Sequence, residues 1–338
     1  RTTSVQLPDL LSSISPFELR TNKHCRTVSR ATERWLVERG LDVPGRADSD
    51  AEEGDDAWTW DKDVKLGLLA AACYPCADVT PLRFVADFLG VLFFDASRGV
   101  GEEGDVFALL SDRLSRIAYK NPSWYLRFLK SQRSYQDAKR RLYCNDTNND
   151  KSTTDTTNPP LPIRPDLESY IELRREASGV RMAFDMIEYV EDLVLGEEVI
   201  ANGLFRKVKD HACNVAVWSE DIVSCTRGIS PNTPPNLVTT LMKERHLPLD
   251  GALVLAGTLV QQSVDAFLDS ERALLAHVRQ SQVQHQRERG GTWDVERYVR
   301  GLRNWVAGFV NWLYESRVYF GDKGMEVRTF GWVFVPVE

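Results

Sequence analysis

Arg174 and Arg175 stand side by side within Tyr170–Gly179, and Glu220, Ser224 and Arg227 follow within Ser219–Gly228. An arginine guanidinium grips anionic oxygens through a rigid fork of N–H donors, so the first stretch can bind a phosphate or carboxylate. Glu220 and Ser224 lie four residues apart, which on a helix puts both oxygens on one face, where they could share a hard cation. The bland readings are an Arg-Arg pair on a surface helix and a helix end at Gly228. Asp95 closes the apolar run Leu92-Phe-Phe and is either a ligand or a polar residue terminating a buried helix. Trp312-Leu-Tyr-Glu-Ser-Arg-Val-Tyr-Phe320 sets Arg317 and Tyr319 among aromatic residues.

Other clusters point less clearly to chemistry. Cys73-Tyr-Pro-Cys76 has C-x-x-C spacing, but with no second pair or histidine cluster beside it the six cysteines are expected to be packed thiols. The acidic run from Arg46 to Asp56 reads as a solvated loop, and Asn145-Asp-Thr147 matches a glycosylation sequon. Phe84, Phe88, Trp58, Trp60, Trp218, Trp305, Trp312, Tyr314 and Tyr319 are candidate walls of an apolar pocket, since aromatic faces attract cations.

The elements that must position these residues are helical. Apolar spacing predicts helices over 26–40, 61–73, from Pro81 past Phe93, 105–118 and 125–143. Beyond residue 165 it predicts helices over 166–178, 180–195, 199–228, 234–245, 249–282 and 294–320. Thr80-Pro81 predicts a cap with proline in the first turn, and Val327–Val337 a short extended segment. Residues 144–165 are polar and proline-ended, and are expected to form a flexible surface loop within one all-α domain spanning 1–338.

In order along almost the whole chain, several pieces resemble fungal class I terpene synthases of the sesquiterpene type. They are Gln6–Leu10, Ala71–Pro75 with Leu82–Phe88, Tyr170–Gly179 and Trp312–Gly321. The resemblance implies an antiparallel helical bundle around a central apolar pocket. There a magnesium cluster and basic residues draw diphosphate from a prenyl substrate, and the carbocation cyclises. It assigns diphosphate sensing to Arg174, 46 residues before Glu220, with Arg175 as a close substitute. It assigns metal ligation to an aspartate cluster beginning at Asp95 and to an oxygen set aligned with Glu220, Ser224 and Gly228, preceded by the basic Arg227.

The chain departs from that pattern. Ala96 and Gly99 cannot ligate, Gly228 lacks the last carboxylate, and Val318 stands where an arginine usually precedes Tyr319. Arg317 lies one position earlier, a rotation of about 100° on a helix. Magnesium is therefore possible but weakened. The expected catalytic residues are Asp95, Glu220 and Tyr319. Arg174, Arg175, Ser224, Arg227, Arg317, Phe84, Phe88, Trp218 and Trp312 are expected to bind substrate. On this reading the chain is a noncanonical terpene cyclase-like enzyme of fungal secondary metabolism, joining an isoprenoid or terpenoid to an amine co-substrate, with a partner cyclase where one is needed. The alternatives are a magnesium-dependent sesquiterpene cyclase acting on farnesyl diphosphate, and a non-catalytic homologue serving as a binding partner.

Bulk properties narrow the classes. A net charge of −7 argues against nucleic-acid binding. No uninterrupted apolar run of about 18 residues predicts a membrane span. The opening Arg-Thr-Thr-Ser-Val is not of the secretory type, so a cytoplasmic location is expected.

Overall fold

The computed structural model describes residues 2–42, 59–98, 104–143, 166–230, 235–285 and 290–337. Its longer elements are β1 (Thr2–Gln6), α1 (Cys25–Glu38), α2 (Leu66–Cys73), α3 (Val79–Ser97), α4 (Ser111–Lys120), α5 (Pro122–Tyr143), α6 (Leu167–Ala177), α7 (Val180–Val190), α8 (Gly203–Ser224), α9 (Leu237–Glu244), α10 (Leu249–His285), α11 (Gly290–Glu315) and β2 (Trp332–Pro336). The expected all-α bundle is what forms. The acidic run, Trp58, Gly99, Cys144 and the 144–165 segment lie outside the described residues.

Helix α2 is apolar on every side because it is central. Its residues from Leu69 to Cys73 are all buried, and it packs against α1 and α11. Close approach needs small residues at the crossings. A Cβ on Gly308 of α11 would stand 2.4 Å from the backbone carbon of Ala72. Helix α10 instead carries a one-sided stripe: Ala252, Leu253, Ala256, Val260, Val264, Phe267 and Leu274 are buried, against α8 and α9. Leu249–Ser281 is long and apolar enough to cross a membrane by length and composition. The stripe at three- and four-residue spacing is that of a helix buried on one face within a bundle.

Several expected helices end early for local reasons. The 61–73 segment starts as a π-helical turn, Trp60–Val64, and breaks at Lys65, which is left-handed with φ 53°. The 105–118 segment opens with a 3₁₀ turn, Val106–Leu110, before α4. The 199–228 segment divides at Asn202, whose side chain caps α8 through Leu204 N at 2.8 Å. The 294–320 segment breaks at the extended Ser316, and a separate turn, Arg317–Phe320, follows. Helix α3 starts at Val79 after Asp78, so Thr80 lies inside the helix rather than capping it.

The tail is extended as expected, and its partner is the other end of the chain. Strands β1 and β2 pair antiparallel with Val5 opposite Val333, and Val5, Val333 and Val335 are buried beneath them. Ile229 N donates to Pro336 O at 2.8 Å, tying this ribbon to the loop that follows α8.

Of the described cysteines, Cys73, Cys213 and Cys225 are packed as expected, whereas Cys76 is exposed; Cys73 and Cys76 are both free. Burial pushes the Cys73 thiol well up, and pushes Cys213 to about 11 and Cys225 to about 12.

Candidate active site

Helix α6, capped by Asp166 through Ser169 N at 2.8 Å, carries Tyr170 and Arg174 one turn apart. Both reach the same carboxylate on α8. Arg174 Nε donates to Asp221 Oδ1 at 3.0 Å and Nη2 to Glu220 Oε2 at 2.9 Å. Tyr170 donates its hydroxyl to Asp221 Oδ2, and Leu237 N, opening α9, donates to the same oxygen at 2.9 Å. Asp221 is buried, so these donors offset the cost of removing its charge from water. Burial raises its pKa, while Arg174, the Tyr170 hydrogen bond and Leu237 N oppose that rise. For Arg174 burial works against the charge, but Asp221, then Tyr143 and Glu220, outweigh it and hold the guanidinium protonated.

Glu220 stands in front of this knot. Tyr319 donates to Glu220 Oε1 at 2.8 Å, and burial, followed by the nearby Glu220 charge, raises the phenol's pKa. The Arg227 guanidinium lies 4.8 Å from the Tyr319 ring centroid, a cation–π contact. Ser224 donates to Asp221 O at 2.9 Å. Helix α8 ends there. A 3₁₀ turn, Cys225–Arg227, follows, and Gly228 has φ 109°. Position 228 therefore does not continue the Glu220–Ser224 face.

A cleft of about 830 Å³ opens over these groups. Its walls include Ala96, Ser97 and Arg98 at the end of α3, Tyr135, Lys139 and Tyr143 of α5, and Arg174, Glu220, Asp221, Ser224 and Arg227; Pro336 reaches its edge. Asp95 stands behind this lining. Its carboxylate accepts from Tyr135 at 2.6 Å and from Lys139 Nζ at 3.1 Å.

The structure thus gathers Arg174, Glu220, Ser224, Arg227 and Tyr319 into one place, with Asp95 at the opposite wall. It turns other candidates elsewhere. Arg175 donates to Asn214 at 2.7 Å on the flank of α8. Arg317 pairs with Asp63 at 2.6 Å and Asp322 at 2.8 Å, the rotation that its one-residue offset implies. Phe84 packs edge-on to Tyr189, and Phe88 lies among Phe107 and Phe128. Tyr314 stacks on Phe320. Trp218 is buried on α8, and its indole N–H has no hydrogen-bond partner among the described residues.

Trp305, Phe309 and Trp312 form a stacked aromatic ladder along α11, at 5.0 and 5.8 Å between centroids. Trp312 then meets Tyr319 edge-on at 6.3 Å. These rings are buried behind the cleft and are not part of its lining, so Trp312 does not face it, contrary to expectation. Trp312 anchors its own indole on Val64 O at 2.7 Å. Asp221, Lys139, Tyr135 and Tyr143 were missed in the sequence. For three of them a signal was present, since 135, 139 and 143 recur every four residues; Asp221 was hidden beside Glu220.

The family model described as terpene synthase family 2, C-terminal metal binding, matches residues 162–266, which hold Arg174, Glu220, Ser224 and Arg227. The chain is 29% identical to sesquiterpene synthase 1 of Postia placenta, over 96% of this chain and 93% of that protein. It is also 29% identical to sesquiterpene synthase Agr1 of Cyclocybe aegerita, over 95% of this chain and 90% of that one. This is a fungal class I terpene synthase-like protein. Germacradien-4-ol synthase from Streptomyces citricolor shares the fold, with TM-score 0.62, 21% identity, and coverage of 88% of this chain and 96% of that one. The terpene synthase-like chain is an enzyme, a terpene cyclase by its near full-length likeness to named synthases, against the alternative of a non-catalytic binding partner.

Proposed function

We propose that this terpene cyclase is a magnesium-dependent sesquiterpene cyclase acting on farnesyl diphosphate, one domain over residues 1–338 and cytoplasmic. The observation that carries the reading is a cation-lined cleft backed by buried aromatic rings. Arg174, Arg227, Arg98 and Lys139 line the cleft against two carboxylates, Glu220 and Asp221, and the α11 aromatic ladder ends behind it in Tyr319. Ionisation breaks the allylic C–O bond, the electron pair leaving with the diphosphate. The cations in the cleft favour that leaving group, and aromatic faces favour the carbocation left behind.

Asp95, Glu220 and Ser224 supply only oxygen donors, the type that magnesium prefers. This ion is commonly held by one or two carboxylates together with substrate phosphate and water. Glu220 and Ser224 on one wall would hold the ion together with the diphosphate. Asp95, bonded to Tyr135 and Lys139 behind the other wall, is not turned to the cleft, and no group of three metal-binding side chains gathers among the described residues. When bound, magnesium would neutralise the departing charge. The chain's own part is to fix the diphosphate with Arg174 and Arg227, and to hold Glu220 between Arg174 and Tyr319. Purified protein given farnesyl diphosphate should form a sesquiterpene, detected by gas chromatography–mass spectrometry, with Mg²⁺ and not with EDTA. Equal product in EDTA overturns the metal dependence; no product in either overturns the substrate.

A specific observation favours a second reading. Both candidate carboxylates are already paired, Asp95 with Lys139 and Glu220 with Arg174, and glycine occupies position 228. A noncanonical cyclase would use such a cleft to join a terpenyl group to an amine co-substrate, with a partner cyclase supplying the terpenoid. The allylic C–O bond breaks with its electron pair leaving on the diphosphate, the amine lone pair forms the C–N bond, and the surplus N–H proton passes to solvent. A nitrogen-containing product formed in EDTA, only when amine is added, would select it.

A further inference from the structure

Helix α5 turns Tyr135, Lys139 and Tyr143, each one turn from the next, into the cleft. Lys139 is mostly buried, with its side chain 12% exposed. Its ammonium donates to Asp95 Oδ2 at 3.1 Å and to the backbone oxygen of Asp95. Tyr135 donates to the same Oδ2 at 2.6 Å. An ammonium has three donors, and Asp95 accepts two of them among the described residues. On this wall the charge facing the cleft is therefore the lysine, with the carboxylate behind it. Tyr143, at the far end of the strip, lines the cleft beside Arg174; burial raises the phenol's pKa, and the guanidinium's charge opposes that rise. The strip thus spans from the Asp95 wall to the Arg174 wall.

We propose that Lys139 and Tyr143, with Tyr135 holding Asp95 behind them, form an anion-binding strip that takes one phosphate of the prenyl diphosphate directly, without metal. Lys139 supplies on the α3 wall the positive charge that a metal on Asp95 would otherwise bring. Asp95 is then a positioning residue, which aims the ammonium and lowers its attraction for an added anion. The proposal rests on the diphosphate reading above and adds how that group is held.

Isothermal titration of the full chain with inorganic pyrophosphate, in EDTA and again in Mg²⁺, tests it. The wild-type protein should bind pyrophosphate in EDTA. Lys139→Met should weaken that binding by about tenfold or more, the loss of a hydrogen bond to a charged group, and Lys139→Arg should largely keep it. Asp95→Asn should strengthen metal-free binding, because it frees the ammonium. A metal-free affinity unmoved by Lys139→Met, or weakened by Asp95→Asn, overturns the strip. Binding that requires Mg²⁺ and ignores Lys139 overturns it too, and leaves the diphosphate reading standing. No binding in either buffer overturns that reading, and the strip with it. Thermal melts of each variant separate a folding defect from a lost contact.

Discussion

Arg174 shows why a sensor residue in this chain is also a structural one. Its guanidinium spans Glu220, at the cleft, and Asp221, in the core. Arg174→Ala leaves Asp221 with Tyr170 and Leu237 N but no counter-charge. Removing one member of a buried pair costs about 3–5 kcal/mol, so a clear fall in melting temperature should accompany lost pyrophosphate affinity. A variant that keeps its melting temperature would show that Asp221 is not held as an ion pair. The nearness of Arg174 to Glu220 was implied by the resemblance to terpene synthases, not by their spacing. The role of Asp221 was not legible: an acid next to Glu220 looks like a duplicate until burial shows which of the two faces the core.

At the scale of the element, the end of α8 decides how many ligands can line up. Three oxygens at i, i+4 and i+8 share a face only while the helix continues. Here it stops at Ser224, and Gly228 takes φ 109° and ψ 156°, a conformation that nearly only glycine adopts. Writing the missing carboxylate back as Gly228→Glu should therefore cost about 1–3 kcal/mol of backbone strain without creating a stronger metal site. The check is Mg²⁺ titration beside a thermal melt; tighter magnesium binding at unchanged stability would show that the helix extends through 228. The helix end was legible in the glycine itself. The pairing of that turn with the C-terminal strand, through Ile229 and Pro336, was not.

For the molecule as a whole, the two ends of the chain meet beside the cleft. Strand β2 buries Val333 and Val335, holds Ile229, and places Pro336 at the cleft edge. Removing residues 332–338 deletes those two valines and uncovers Val5, which pairs with Val333, and should cost roughly 3 kcal/mol or more in lost burial alone. It should also raise hydrogen exchange at Ile229, whose N–H loses its acceptor. Unchanged protection there would mean that the loop after α8 is held by α9 and the Tyr319 turn instead. The same scale explains α10. Composition alone would permit a membrane span over Leu249–Ser281, but the buried stripe is spent on α8 and α9.

The sequence by itself determined the helical bundle, because apolar residues at three- and four-residue spacing must be buried together. It also set Glu220 and Ser224 one turn apart on one face of a single helix, whereas Arg174, on another helix, was joined to them only by the resemblance to terpene synthases. Only the tertiary structure decided which side chains share the cleft. Arg317 and Arg175 turned away to Asp63 and Asn214, while Lys139 came forward over Asp95. The physical reason is that a charged side chain takes the nearest buried or half-buried counter-group. That group belongs to another helix, and its position is fixed by packing rather than by any local pattern.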